Sequence, residues 1–426
     1  MHGSRVRSHA RVAGPVAPPF ARTAVHVTSL SVPPTRGPGV ARPRAPARRW
    51  YARAMRMSDV LRQLRQQQSR AGARPRLLQR FEAFLPVDDA TPLLSLGEGF
   101  TPLIHARTLG RAIGCPMLHL KVEGQNPTGS FKDRGMVLAV AKAMQAGSRA
   151  LICASTGNTA ASAAAFGAHA GLEVVVVLPQ GQVAAGKLLQ AQAAGARVVA
   201  VEGGFDGALR AVREIMDDPD PGHPMTLVNS VNPFRIQGQK TGAFEVCEDL
   251  GGAPDYLAIP VGNAGNITAY WKGFSEYRSA GLVETRPIML GFQAAGAAPL
   301  VLGHRVDDPL TVATAIRIGH PASGAAALQA RDESGGRIEA VTDEEILDAY
   351  RDLARYEGIF CEPASAASVA GVRKLAAEGA IDPGATIVCV LTGHGLKDPD
   401  TATREAPLPV VEAEPSAAGV RRAMGW

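Results

Sequence analysis

Between residues 150 and 203 the chain alternates apolar runs of strand length with stretches of helical spacing. ALICAST (150–156), LEVVVVLP (172–179) and ARVVAVEG (196–203) are rich in aliphatic and β-branched residues and bounded by turn formers, which predicts three buried strands. NTAASAAAFGAHAG (158–171) and AAGKLLQAQAAG (184–195), between them, predict helices. Further on, YLAIPVGNAGN (256–266) and ATIVCVLTGHG (385–395) each run an apolar strand into a glycine-rich turn. This alternation predicts βαβ units and an α/β fold on an open parallel sheet, where ligands bind at the carboxyl ends of strands.

Upstream, Met136, Val137, Val140 and Met144 recur at helical spacing and predict one apolar face on a helix beginning near Asp133. Lys132 therefore falls at a loop-to-helix junction. Helical spacing also starts near residue 58, with Val60, Leu61 and Leu64, and leads into the turn-rich SLGEGFTPLIHA (95–106). Residues 405 to 426, rich in Ala, Pro and Glu, predict a frayed tail. No apolar run reaches the roughly 20 residues of a membrane helix, so no membrane partner is expected.

The formal charge of +6 first suggests nucleic acid, but its distribution removes that reading. Residues 1 to 57 hold 11 arginines and no acid, leaving 34 basic against 39 acidic residues in the rest of the chain. The leader is also proline-rich (Pro15, Pro18, Pro19, Pro33, Pro34, Pro38, Pro43, Pro46) and cannot bury enough surface to fold alone. An organelle transit peptide, a basic arm touching RNA or lipid, and a true start at Met55 or Met57 all fit it; the last is preferred. Without an aromatic-basic stripe, a nucleic-acid binder is not expected. Cys115, Cys153, Cys247, Cys361 and Cys389 are odd in number and lack a CxxC pair, so they predict free thiols in a reducing, cytoplasmic setting and no metal site.

Four elements carry candidate chemistry, and a fifth residue joins them; each has a plainer reading. In TGSFKDRG (128–135), a desolvated Lys132 would present the neutral amine that forms a Schiff base with an aldehyde; the plainer reading is a solvated lysine opening a helix. VGNAGN (261–266) can aim backbone N–H groups and a helix N-terminus at a phosphate, or be only a turn. The hydroxyls and amide of STGNT (155–159) can hold a carboxylate and a ring substituent, or merely cap a helix. In NSVNPFRIQGQK (229–240), Arg235 among neutral polar side chains suits a phosphate, against a solvated loop arginine. Thr392 in VLTGHG can bond a pyridine nitrogen, or serve the turn alone.

In order and spacing, GEGFTPL (97–103), SFKDRG (130–135), STGNT, GNAGN and LTGHGLKD (391–398) together resemble the threonine synthase family of pyridoxal-phosphate enzymes. The resemblance covers about residues 90 to 400 and implies the fold-type-II, tryptophan-synthase-β-like architecture. Threonine dehydratases usually show SGNHAQG and GGGGL, and cysteine synthases TSGNTG and GTGGT. GNAGN and the threonine of LTGHG depart from both patterns; a serine/threonine dehydratase remains the alternative, and a cofactor carrier without turnover lies further off.

What the resemblance implies is specific by residue. Lys132 would tether the cofactor and act as base, Asn158 would bond the 3′-hydroxyl, and Thr392 would meet the pyridine nitrogen. Gly262, Asn263, Ala264, Gly265 and Asn266 would cradle the cofactor phosphate, and Ser155, Thr156 and Thr159 would receive the substrate carboxylate. Asn229 and Arg235, with Asn263 and Lys187, would bind the substrate's own phosphate. The implied reaction turns O-phospho-L-homoserine and water into L-threonine and phosphate, in a homodimer. The expected domains are a leader (1–57), a large cofactor-binding domain (58–123 and 211–405), a small α/β domain inserted at 124–210, and the tail (406–426).

Overall fold

The computed structural model describes residues 76–155, 157–180, 185–202, 205–218, 220–405 and 410–426. The leader and the helical spacing expected from residue 58 lie outside the described residues. Among the described residues, ten strands form two sheets: β1 (Leu103–His105), β2 (Leu118–Val122), β3 (Ala150–Ala154), β4 (Glu173–Pro179), β5 (Arg197–Val201), β6 (Met225–Leu227), β7 (Tyr256–Pro260), β8 (Ile288–Ala294), β9 (Arg337–Val341) and β10 (Ile387–Leu391). The larger sheet has the order β1-β2-β10-β7-β8-β9 and is parallel except for the antiparallel edge strand β1. The smaller sheet, β5-β4-β3-β6, is parallel throughout.

The helices that shape the site are α1 (Lys132–Gln145), α2 (Asn158–His169), α3 (Ala185–Ala193), α4 (Phe205–Asp217), α5 (Pro233–Gln239), α6 (Thr241–Leu250), α7 (Gly265–Ser279), α8 (Gly324–Ser334), α9 (Asp343–Glu357) and α10 (Pro363–Ala377). Side chains alternating across each strand divide the interior into layers. On β10, Val388 and Val390 face the central core, while Ile387, Cys389 and Leu391 face a second core under α9 and α10. On β3, Leu151 and Cys153 join the central core, and Ile152 and Ala154 pack with Ala208 and Val212 of α4.

The strand closing the smaller sheet, β6, lies at 225–227 and pairs with β3. Two sequence expectations are corrected. Helix α1 is buried on every side from Asp133 to Ala141 and not along one face. Residues 417–424 form a helix, α11, which Ser416 caps at its start and Gly425 ends in a left-handed turn, where a frayed tail was expected.

Two features hold the start of α1. Arg134, buried, donates to both Glu123 oxygens at 2.7 and 2.8 Å and to both Glu245 oxygens at 2.9 and 2.6 Å. Burial alone would raise the Glu245 carboxyl, but Arg134, Lys121 and Arg80 hold it well below the carboxylate range. One residue later, α1 and α5 touch backbone to backbone: a side chain at Gly238 would meet Arg134 O at 2.1 Å, and one at Gly135 would meet Arg235 O at 2.6 Å. This contact brings Arg235 beside Lys132.

Gly238→Ala is therefore expected to lower stability by about 1–3 kcal/mol, the usual cost of forcing extra atoms into a packed contact. Denaturant unfolding checks this, and unchanged stability would mean that the crossing is slack.

Candidate functional site

The motifs spread along the sequence are joined by hydrogen bonds at strand exits. Residues 129–131 pair with the turn after β10: Phe131 N donates to Thr392 O at 3.0 Å and His394 N to Gly129 O at 2.9 Å, with a bridge between Ser130 and Gly393. Asn158, first residue of α2, donates from Nδ2 to both oxygens of Glu362 at 3.2 and 3.1 Å. Glu362 also accepts from Thr392 Oγ1 at 3.3 Å. Asn263 after β7 donates to Ser230 Oγ at 2.6 Å, and the neighbouring Asn229 pairs with Ala154 at the end of β3. Lys132 and Arg235 sit within this ring of contacts.

Lys132 is half-buried by exposed surface, yet protein surrounds its ammonium closely enough for desolvation to dominate. Its pKa is pulled down to about 7 by burial first and then by the Arg235 cation, with Glu362 opposing. The Nζ lies 4.3 Å from the centre of the Phe131 ring. A surface lysine has neither property. Asp133, next to it, fixes the loop by accepting from Thr128 N (2.7 Å), Thr128 Oγ1 (2.6 Å) and Ser162 Oγ (2.6 Å).

Arg235 is only 1% exposed, which excludes a solvated loop arginine. Nη1 donates to Val228 O at 2.7 Å, while Nε and Nη2 are buried without partners. Burial lowers its pKa to about 10, so it stays cationic at neutral pH. Buried donors without partners are costly, and a bound anion relieves that cost.

The GNAGN turn has the form of a phosphate cradle. Ala264 holds φ = 65°, a conformation uncommon outside glycine, and α7 begins at the next residue with its first N–H groups free of helical partners. Asn266 is buried with both amide atoms unpartnered. Asn263 cannot offer its whole side chain, because Nδ2 is held by Ser230 and Oδ1 accepts from Ala322 N at 2.6 Å. The desolvated amine and the orphaned Asn266 amide at the GNAGN turn together fit an aldehyde cofactor that carries phosphate, and the orphaned Arg235 donors fit a further anion.

Other candidates fall out unevenly. Ser155 and Thr159 flank the start of α2, with Ser155 Oγ accepting from Gly157 N at 3.3 Å. Thr156 and the side chain of Lys187 lie outside the described residues. Asn229 has its oxygen and one N–H committed to Ala154 at 2.8 Å each, which makes it first a brace between β3 and the turn after β6. Sequence reasoning missed Glu362, whose one signal was a carboxylate set before Pro363 at the head of an alanine-rich helix.

Residues 94–393 match the protein-family model described as pyridoxal-phosphate dependent enzyme. The chain is 60% identical over 329 residues to the threonine synthase of Halalkalibacterium halodurans, covering 76% of this chain and 90% of that protein. It is 57% identical over 326 residues to the threonine synthase of a Bacillus species, covering 76% and 91%. Among solved structures, cysteine synthase from Entamoeba histolytica superimposes with a TM-score of 0.61 over 77% of this chain and 94% of that one, at 21% identity, which speaks for the fold alone.

The depressed lysine sets a pH dependence. Below about pH 7 the neutral fraction of Lys132 falls about tenfold per unit, so uptake of pyridoxal phosphate by cofactor-free protein should slow in proportion and level off above that pH. Stopped-flow absorbance reads this directly, and an uptake rate still climbing toward pH 10 would mean an ordinary lysine.

Proposed function

The chain belongs to the pyridoxal-phosphate-dependent enzyme family, in its threonine synthase branch, and from that premise we propose that it converts O-phospho-L-homoserine and water into L-threonine and phosphate at Lys132 and Arg235. The observation that carries this reading is the pair of buried, unpartnered nitrogens of Arg235, Nε and Nη2, beside the desolvated Lys132. A serine/threonine dehydratase acts on a substrate with no phosphate, and would leave those donors unexplained.

Bound pyridoxal phosphate supplies an electron sink for the pair released at the substrate's α-carbon. In this reading Lys132 tethers the cofactor, Asn158 bonds its 3′-oxygen and Thr392 its ring nitrogen. Gly262 to Asn266 hold its phosphate. Ser155, Thr156 and Thr159 hold the substrate carboxylate. Arg235 binds the substrate phosphate, with Asn229, Asn263 and Lys187 assigned to the same task.

Lys132 Nζ, freed when the substrate amine takes its place and neutral near pH 7, would remove a proton from Cα; because an amine holds one extra proton at a time, it would give that proton up to the conjugated system of substrate and bound cofactor before, neutral again, it takes one from Cβ. Phosphate leaves with the electron pair of the Cγ–O bond, and the Arg235 cation balances the charge that develops. Water gives its hydroxyl to Cβ and its proton to the departing phosphate; one proton each is returned to Cγ and Cα, which balances the two taken from Cα and Cβ. We place the enzyme as a homodimer in a reducing, cytoplasmic compartment, in keeping with its five buried free thiols. No helix among the described residues is long and apolar enough to cross a membrane.

Phosphate and ammonia release, measured side by side from O-phospho-L-homoserine and L-threonine, tests the reaction. Phosphate from the first and no ammonia from the second is expected; ammonia from threonine without phosphate from the phosphoester would overturn the reading. Arg235→Ala should raise KM for the phosphoester about ten- to hundredfold, the worth of one buried charge-assisted bond, while cofactor absorbance on loading is retained. An unchanged KM would remove Arg235 from the substrate site.

A further inference from the structure

Glu362 is 4% exposed, at the head of α10, and it touches both residues assigned to the cofactor ring. Asn158 Nδ2 reaches its two oxygens at 3.2 and 3.1 Å, and Thr392 Oγ1 reaches Oε1 at 3.3 Å. Ser365 completes the cluster: its Oγ lies 3.1 Å from Thr392 Oγ1 and accepts from Gly393 N at 2.9 Å. An ionised carboxylate is an acceptor only. It therefore fixes which end of the Asn158 amide turns inward, and it draws the Thr392 hydroxyl proton toward itself.

We propose that Glu362 is the positioning residue that decides which atoms Asn158 and Thr392 present to the cofactor ring, and thereby the protonation state of that ring. The inference rests on the cofactor reading above and extends it to a residue that does not touch substrate. With Glu362 ionised, Thr392 offers lone pairs to the ring nitrogen; with Glu362 protonated, the carboxyl donates to Thr392, and the hydroxyl is free to donate to the ring. The charged groups facing Glu362 are Lys132 from the head of α1 and Lys397 after β10, with the Cys361 thiol adjoining. Burial raises the Glu362 carboxyl, while Asn158, Lys397, Thr392 and Lys132 oppose that rise.

The test uses the full chain loaded with pyridoxal phosphate. Glu362→Gln puts an amide N–H2 where one partner needs an acceptor. The pH midpoint of the visible absorption band should move by at least about one unit, and the cofactor dissociation constant should rise about tenfold. kcat should fall, with KM for O-phospho-L-homoserine changed less. Glu362→Asp, which keeps the acceptor, should restore much of the midpoint. A folded Glu362→Gln protein with the parent's absorption maximum, midpoint and cofactor affinity overturns the proposal. Should that variant not fold, the Asn158→Ala, Glu362→Asp and double variants decide. Losses in cofactor affinity that fail to add show that Glu362 acts through Asn158, and additive losses overturn it. Lys132→Ala separates the two readings: if it keeps the lysine-bound absorption band, the cofactor assignment itself is wrong, whereas loss of that band with an unaltered Glu362→Gln protein defeats only the proposal.

Discussion

The buried guanidinium of Arg134 is the constraint on which the site depends. Held between Glu123 and Glu245 by four bonds of 2.6 to 2.9 Å, it fixes the first turn of the helix that begins at Lys132. Removing one side of such a cluster leaves an unpaired charge in the interior, which costs about 3–5 kcal/mol. The GEGFTPL segment folds around the same cluster, with Phe100 N donating to Glu245 at 2.8 Å and Thr101 Oγ1 to Glu123 at 2.8 Å. That motif thus braces the start of α1 through Glu123 and Glu245. With α1 so anchored, the close contact of Gly135 and Gly238 determines where Arg235 stands.

From that placement follows an electrostatic arrangement suited to doubly anionic ligands. Two cationic groups, Lys132 and Arg235, are buried; burial is the largest cause lowering each, and Arg235 lowers Lys132 further. The one carboxylate acting on Lys132 most directly, Glu362, is itself raised by burial and braced by neutral donors. In the reaction we propose, a phosphate on the cofactor and another on the substrate would supply the missing negative charge, and Arg235 and Asn266 have buried polar atoms without partners to meet them. The site is organised for its ligands at the expense of its own hydrogen-bond satisfaction.

Much of this was legible in the sequence because it rests on periodicity and on turn chemistry. The alternation between residues 150 and 203 marked strands and helices at nearly their observed bounds, and each glycine-rich turn stands at a strand exit. Lys132 does open a helix, as its setting suggested. Less legible were features produced by tertiary contact alone. The three residues of β6 carry no period of their own and become a strand only by pairing with β3. The all-round burial of α1 comes from α2 and α5 closing over faces that look interchangeable in sequence. Glu362 reads as an ordinary helix opening, and only the fold brings it to Asn158, 204 residues away.

In the reaction we propose, this geometry cleaves the Cγ–O bond of a phosphoester and hydroxylates Cβ with water. Turnover of O-phospho-L-homoserine in water enriched with heavy oxygen tests it most directly, with both products weighed by mass spectrometry. The label should enter the hydroxyl of threonine, and the released phosphate should carry none. Label in the phosphate and none in an amino-acid product would mean that water attacks phosphorus, which contradicts the roles assigned to Lys132 and Arg235.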